Sequence, residues 1–132
     1  MHILPHAQEI LDQPTIEKIR SQSGKAAQER KLTLEQLNLI YEKEWLRLFI
    51  PQRYQGLEMD LPQALQILEA LAYADGSLGW TVNLGAGANL FAAYIRPSLS
   101  EQVFTDQKAC TAGSGAPTGN ARPEGDGYRV RG

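Results

Sequence analysis

Few side chains in the sequence have the types and spacing that self-contained catalysis needs. His2 and His6 are four residues apart, as in a helical metal chelate, but Pro5 lies between them and no third ligand is near. Cys110 is the one cysteine, which excludes an internal disulfide and a cysteine-cluster zinc site. Because no histidine is near to activate it, we interpret Cys110 as a buried structural thiol. We therefore predict no metal site and no catalytic residue within this sequence.

Two glycine-rich runs have small residues that could approach a phosphate or a ring. The run at residues 85–90 begins like a dinucleotide-binding fingerprint, but it lacks the third glycine. It also falls inside a predicted helix instead of between a strand and a helix. The Gly-Ser-Gly at residues 113–115 is not followed by the Lys-Ser/Thr of a phosphate-binding loop. Neither run is a nucleotide signature in its own right.

The charged residues also favour structural roles. Asp75 suits a helix cap and Glu69 an exposed helix face, so they are not interpreted as a general acid–base pair. Arg129 and Arg131 share one face of a predicted strand and are interpreted as solvated or paired. The net charge of -2 and the pI near 5.7 argue against a nucleic-acid partner that needs a basic surface. The 132 residues have ordinary globular composition, with 42% hydrophobic and 21% charged side chains.

Capping signals and hydrophobic periodicity predict helices over most of residues 6–105. The first predicted helix covers about residues 14–30, with a proline in its first turn. The second begins at Thr33 and Gln36, which fit a capping box. Its predicted apolar stripe continues toward the proline at position 51 and consists of Leu34, Leu37, Tyr41, Trp45 and Leu48.

Two further helices and a short one follow. Asp60 can cap the third helix and Asp75 the fourth, while Ser98 and Glu101 fit a second capping box for the short helix. Pro97 is expected to end the fourth helix. The predicted apolar face of the third helix consists of Leu61, Leu65, Leu68 and Ala72, with Ile67 and Leu71 beside them.

The fourth predicted helix is uncharged from residue 76 to residue 95. That length approaches the ~20 residues that cross a bilayer, but its polar and small residues make it too weakly hydrophobic. We therefore predict a buried core helix and no membrane span. Each glycine costs about 1 kcal/mol of helix propensity relative to alanine, so close approach of another element or a ligand is expected. The N-terminus lacks a signal-peptide pattern, and with one cysteine a cytoplasmic location is expected.

The pattern changes near residue 108. Residues 109–115 form a small-residue, strand-like run, and Glu-Gly-Asp-Gly at residues 124–127 is a hairpin signal. The next four residues alternate apolar and basic side chains, as in a half-buried strand. We therefore predict an N-terminal helical domain at residues 1–107 and the start of an incomplete β-domain at residues 108–132. So few strands are not independently stable, and we expect further strands from a continuation or a partner.

The order of several motifs resembles the acyl-CoA dehydrogenase superfamily. Residues 48–57, with Leu-Phe-Ile-Pro and then Tyr-Gln-Gly-Leu, are similar to an early motif of that family. Residues 68–77 resemble its next signature, an amphipathic helix that ends in Ala-Asp-Gly-Ser. The Leu-Gly-Trp at residues 78–80, together with residues 112–119 and 127–132, is similar to its flavin-dependent hydroxylases. Those are two-component monooxygenases that act on aromatic or heterocyclic substrates.

The resemblance implies a mainly α N-terminal domain of the acyl-CoA dehydrogenase type, followed by the first strands of a β-domain. It also implies FAD or FMN as the cofactor, contacted by Thr111, Gly113 and Ser114. The uncharged helix would line the substrate side of the pocket, with Trp80, Asn83 and Gly87 as the candidate lining residues. Trp80 remains open to two interpretations, a pocket wall or a core residue.

The resemblance implies the N-terminal portion of a flavin-dependent oxidoreductase. The reaction stays open between hydroxylation, favoured by the Gly-Trp, and dehydrogenation of an acyl thioester. The implied partners are a small-molecule substrate (an acyl-CoA or an aromatic compound), a flavin reductase and further copies of the chain. The family's catalytic glutamate or histidine lies outside the matched residues, so this chain alone is expected to be inactive. The alternative is a non-catalytic helical interaction module or a vestigial fragment that docks on a complete subunit.

Overall fold

The structure, a computed structural model, describes residues 7–132, so His2 and His6 lie outside the described residues. Helices dominate the first hundred residues, and an antiparallel hairpin follows them. The helices are α1 (Ala7–Ile10), α2 (Gln13–Glu29), α3 (Leu34–Glu42), α4 (Leu61–Ala74), α5 (Gly76–Asn89) and α6 (Pro97–Phe104). Short 3-10 turns occupy Trp45–Arg47, Gln52–Tyr54 and Leu90–Ala93, and the strands are β1 (Asn120–Glu124) and β2 (Gly127–Arg131).

Side-chain caps fix where four of the helices begin. Thr33 and Gln36 form the predicted capping box at the start of α3. The carboxylates of Asp60 and Asp75 accept the backbone N–H three residues later, at 2.9 and 2.8 Å, and so begin α4 and α5 as predicted. Asp12 does the same for α2 at 2.7 Å, a cap that the sequence analysis did not identify. Each cap satisfies an N–H that the helix itself leaves unpaired.

The predicted apolar stripe between residues 34 and 48 is wrong as one continuous helix. α3 ends at Glu42, and Glu44 takes a left-handed backbone with φ of 55° before the turn Trp45–Arg47. Leu34 is 69% exposed, whereas the buried residues of α3 are Gln36, Leu39 and Ile40. Trp45 and Leu48 are buried, but they reach the core from a separate element because the chain reorients at the break.

The main core forms where α2, α3 and the turn Trp45–Arg47 pack with the consecutive helices α4 and α5. The predicted apolar face of α4 is wrong in part, since Leu61, Leu65 and Ala72 are exposed. The buried residues are Ala64, Leu68, Ala70, Leu71 and Ala74. Small residues let the two helices meet closely. A Cβ added to Gly79 of α5 would lie 2.6 Å from the Cα of Ala72 in α4. The expected role of glycine in close approach therefore holds at this position.

The uncharged helix is not buried all round, contrary to the prediction. Leu78, Val82 and Ala86 are fully buried, but Trp80 and Leu84 on the other side of α5 are exposed. Hydrophobic periodicity did not predict the exposed side of α5, because a helix without charged residues has no sequence pattern that distinguishes its solvent side. Within the part of the chain that the structure describes, no helix has the length and apolar character needed to cross a membrane.

The predicted capping box of Ser98 and Glu101 is also wrong. α6 begins two residues earlier than that box requires, at Pro97, and its N-cap residue Arg96 makes no side-chain cap. Ser98 therefore lies inside the first turn and cannot cap the helix. Pro97 suits the first helical position, because its missing N–H needs no partner there. α6 closes a second, smaller core cluster, formed by Ile50, Tyr54, Ala92 and Phe104.

The hairpin at the C-terminal end pairs Asn120 with Arg131 and Glu124 with Gly127. Its turn is the predicted one, although the central residues are Gly125, with φ of 60°, and Asp126, one position earlier than Asp-Gly. The run at residues 109–115 is not a strand. The predicted half-burial of the second strand is wrong, because every residue of both strands is exposed.

Candidate functional site

One face of α5 carries the three predicted substrate-pocket residues. Trp80, Asn83 and Gly87 follow at intervals of three and four, so they share a side of the helix. Trp80 is 63% exposed, Asn83 is half-buried, and a Cβ added to Gly87 would meet nothing within 4 Å. The exposure of Trp80 argues against the core interpretation. The three residues therefore leave room for a ligand or a further element.

Large apolar side chains continue this side of α5 beyond Trp80 toward its C-terminal end. Leu84 lies one turn after Trp80, and Phe91 follows from the adjoining 3-10 turn; both are exposed. We call Trp80, Leu84 and Phe91 the α5 apolar face. Residues 76–95 contain no charged side chain. An exposed cluster of this kind is typical of a surface that meets an apolar ligand or another protein surface.

The predicted flavin residues lie on the extended segment that follows α6. The buried amide of Asn89, at the end of α5, holds the start of this segment. Its Oδ1 accepts the backbone N–H of Thr111 at 2.9 Å and the Thr111 hydroxyl at 2.8 Å. Its Nδ2 donates to the carbonyl of Leu46 at 2.8 Å and, more weakly, to that of Ala109 at 3.5 Å. This role could not be predicted from the sequence, because one asparagine in an uncharged helix forms no motif.

Close packing of Cys110 against α5 adds to the Asn89 contacts. A Cβ added to Gly85 would lie 2.9 Å from the Cys110 sulfur and 2.7 Å from Cδ2 of Leu46, so only glycine fits without a shift. The prediction that Cys110 is buried is wrong, since the residue is exposed overall. Burial on the α5 side nevertheless raises the pKa of the Cys110 thiol, which disfavours the thiolate that a nucleophile needs.

A buried arginine holds the chain just before this segment. Arg47 donates from Nη2 to the carbonyls of Tyr54 at 2.6 Å and Phe104 at 3.0 Å. It also donates to the carbonyls of Asp106 at 3.3 Å and Gln55 at 3.4 Å. Burial lowers the pKa of Arg47, but an arginine stays charged at neutral pH. The guanidinium therefore fixes the end of α6, from which the segment starts.

Gly113 and Ser114 lie further along and are exposed. A Cβ added to Gly113 would meet nothing within 4 Å, and the Ser114 hydroxyl accepts the N–H of Ala116 at 3.1 Å. Within residues 7–132, no hydrogen bond engages the backbone N–H groups of residues 112–115. The segment thus offers free donors and an unobstructed glycine. This donor set fits the edge of a planar ring that carries carbonyl oxygens.

The predicted substrate-pocket residues and the predicted flavin segment contact different sides of α5. Asn89 lies nine positions after Trp80, which at 100° per residue places the two about 180° apart around the helix. Thr111 is therefore attached to the side of α5 opposite Trp80. The structure joins Trp80, Asn83 and Gly87 on one face and fixes Thr111 on the other, with Gly113 and Ser114 leading away from it. α5 is the element that connects the two groups.

Comparison with known proteins identifies the family. Residues 5–103 match the family described as the acyl-CoA dehydrogenase, N-terminal domain. The chain belongs to this family. It is 31% identical over 83 residues to a pigment production hydroxylase of a Rhodococcus species, a match that covers 62% of this chain and 21% of that protein. It is 23% identical over 113 residues to the indole-3-acetate monooxygenase of Pseudomonas putida, covering 86% and 29% respectively.

A solved structure has the same architecture. XiaF from Streptomyces sp., in complex with FADH2 and glycerol, matches with a TM-score of 0.84 and 25% sequence identity. The match covers 96% of this chain and 33% of XiaF, and the chain likewise spans under a third of both curated relatives. The predicted family and the mainly α fold of the acyl-CoA dehydrogenase type, followed by the first strands, are confirmed. The chain is an acyl-CoA dehydrogenase-like N-terminal domain with hydroxylase and monooxygenase relatives.

Proposed function

We propose that this chain is the N-terminal part of a flavin-dependent monooxygenase that hydroxylates a small aromatic or heterocyclic compound. The observation that carries the proposal is the agreement of the matches: both curated relatives are named as a hydroxylase or a monooxygenase. XiaF, which shares the fold over nearly the whole chain, is in complex with FADH2. The uncharged α5 apolar face, with the exposed Trp80, also suits an aromatic ring.

In this proposal, residues 1–107 are the helical domain and residues 108–132 begin the β-domain. Thr111, Gly113 and Ser114 contact FAD or FMN. Gly113 lets the ring approach the backbone, while the Ser114 hydroxyl and the free N–H groups of residues 112–115 face its polar edge. When bound, the flavin supplies the redox chemistry, and the chain supplies binding and orientation.

The substrate lies against the exposed side of α5. Trp80 forms a wall that excludes water, Asn83 offers an amide for a polar substituent, and Gly87 provides space. Acid–base residues come from outside this chain, which is inactive alone. The protein is cytoplasmic and assembles as a homo-oligomer, and a flavin reductase supplies its reduced flavin.

One experiment on the intact protein distinguishes hydroxylation from dehydrogenation of an acyl-CoA. Reduced flavin from an added reductase, oxygen labelled with ¹⁸O, and a panel of phenols and indoles form one arm. An acyl-CoA with an artificial electron acceptor, and without reductase, forms the other. Hydroxylated product that carries ¹⁸O in the first arm supports the proposal. Oxidation of the acyl-CoA in the second arm, with no product in the first, contradicts it and supports a dehydrogenase.

A second candidate, a non-catalytic module that docks on a complete subunit, is favoured by the exposed α5 apolar face and the fully exposed hairpin. Its test is to mix this 132-residue chain with a complete homologous subunit and measure the mass of the species by light scattering. A defined complex without flavin supports the module. A monomer whose hairpin amides exchange rapidly in the mixture contradicts it.

A further inference from the structure

We propose that Asn89 positions the extended segment after α6, residues 109–115, which carries the predicted flavin residues. We further propose that it restricts the Thr111 hydroxyl to accepting hydrogen bonds from a ligand. The second half rests on the proposed flavin site. The first half concerns the chain alone and can be tested without any flavin.

The amide of Asn89 uses its complete hydrogen-bonding capacity on two separate chain segments. Both Nδ2 hydrogens point to carbonyls, those of Leu46 and Ala109, and Oδ1 accepts two hydrogen bonds from Thr111. Asn89 itself is fully buried. If its side chain were removed, the N–H of Thr111 and the carbonyl of Leu46 would lose their partner at a half-buried position. The start of the segment would then be free to leave α5.

The orientation of the amide follows from its partners. The backbone N–H of Thr111 can only donate, and the carbonyl of Leu46 can only accept. A flipped amide would set its NH2 against that N–H and its oxygen against that carbonyl. Oδ1 therefore faces Thr111, and the Thr111 hydroxyl must give it its proton at 2.8 Å.

A hydroxyl whose proton is already donated offers only lone pairs to a ligand. It therefore pairs with an N–H of the ring and not with a bare ring nitrogen. A two-electron-reduced flavin carries N–H groups that the oxidised form lacks. One ring N–H is common to both forms, so the preference arises where the hydroxyl faces a ring nitrogen that gains its proton on reduction. In that placement, an acceptor at Thr111 binds the reduced form more tightly than the oxidised form. This preference suits an enzyme that receives its flavin already reduced, as the proposed function requires.

Amide exchange on the flavin-free, intact protein tests the positioning role. In Asn89→Leu, the hydrogen-bonded amides of Ala109 and Thr111 should exchange about tenfold faster than in the wild type, because the segment loses its attachment to α5. Ser100→Ala is the matched control, since it removes another buried side-chain bond, from Ser100 to the Ala92 carbonyl at 2.8 Å. Equal exchange of Ala109 and Thr111 in the wild type and Asn89→Leu would overturn the proposal.

Flavin titrations with oxidised and reduced cofactor test the acceptor role. Thr111→Val keeps the shape of the side chain and should weaken reduced flavin about fivefold more than oxidised flavin, the effect of one hydrogen bond. Thr111→Ser should restore the wild-type ratio. Because Thr111→Val leaves the Asn89 amide in place, it tests the role even where Asn89→Leu fails to fold.

The outcomes separate this inference from the proposed function. An unchanged ratio in Thr111→Val, together with loss of flavin binding in Ser114→Ala, would overturn the acceptor role and leave the flavin site standing. A wild-type protein that binds neither form of flavin would contradict the proposed function and, with it, the acceptor role. In that case the exchange experiment still decides whether Asn89 positions the segment.

Discussion

The helical part and the hairpin differ in where their order comes from. Residues of α2 through α6 enclose two core clusters and are fixed by caps and buried polar contacts. In the hairpin β1–β2, no side chain is buried, and order rests on the strand register, the Gly125 turn and the Arg129–Glu124 ion pair. A two-stranded ribbon with no buried face is only marginally stable by itself. This difference indicates that the segment after α6 is held in place by the helical part of the chain and not by the hairpin.

Core substitution should separate the two regions most strongly. Leu71 and Val130 are both aliphatic, but Leu71 is fully buried and Val130 is 72% exposed. We expect Leu71→Ala to lower the free energy of unfolding by about 2–5 kcal/mol and Val130→Ala by less than about 0.5 kcal/mol. Urea denaturation followed by tryptophan fluorescence measures both. Similar losses in the two variants would show that the hairpin is as well packed as the helices.

A pair of glycines in α5 sharpens the comparison within the helical part. Gly79→Ala puts a methyl group 2.6 Å from the backbone of Ala72, so the helices must shift, and we expect a loss of about 1–3 kcal/mol. Gly87→Ala adds its methyl group in open space and should gain up to about 1 kcal/mol from helix propensity. Thermal unfolding of the two variants checks the signs. A gain in Gly79→Ala would contradict the close approach of α4 and α5.

These positions also show how far the sequence predicts the structure. The capping box at Thr33 and the caps at Asp60 and Asp75 were predicted because a cap depends on residues within one turn. The break at Glu44 was not, because its left-handed backbone follows from how the next turn packs. The exposed side of α5 was also missed, because an uncharged helix does not show whether it meets a core, a ligand or a partner.

The site residues divide in the same way. The family resemblance supplied Thr111, Gly113 and Ser114, and these stay predictions. Asn89 could not be predicted, since its partners lie 22 and 43 residues away in sequence and only the fold brings them together. Arg47 was missed because its partners are backbone carbonyls, which have no residue-type signature; they belong to Tyr54, Gln55, Phe104 and Asp106.

The smallest expected effect concerns the pH dependence of the α2 cap. Hydrogen bonds from Thr15 to the carboxylate of Asp12 lower the pKa of Asp12 from its ordinary value of 3.8. A lowered folded-state pKa means that the contribution is fully present above the unfolded value and is lost as pH falls through the folded value. We expect the Tm of the wild type to fall toward that of Asp12→Ala in this acidic range. A Tm difference between the two that stays constant across the range would contradict a charged cap.

The central claim, that this family member positions a flavin on the segment after α6, is tested most directly by a flavin titration of the intact protein. Wild type, Gly113→Val and the control Gly24→Ala, whose new methyl group meets nothing within 4 Å on α2, should be titrated with FAD and FMN. We predict saturable binding of one flavin in the wild type and the control, and binding at least about tenfold weaker in Gly113→Val, because the side chain blocks approach to the backbone. Equal affinity in all three proteins, or no binding in the wild type, would contradict the account.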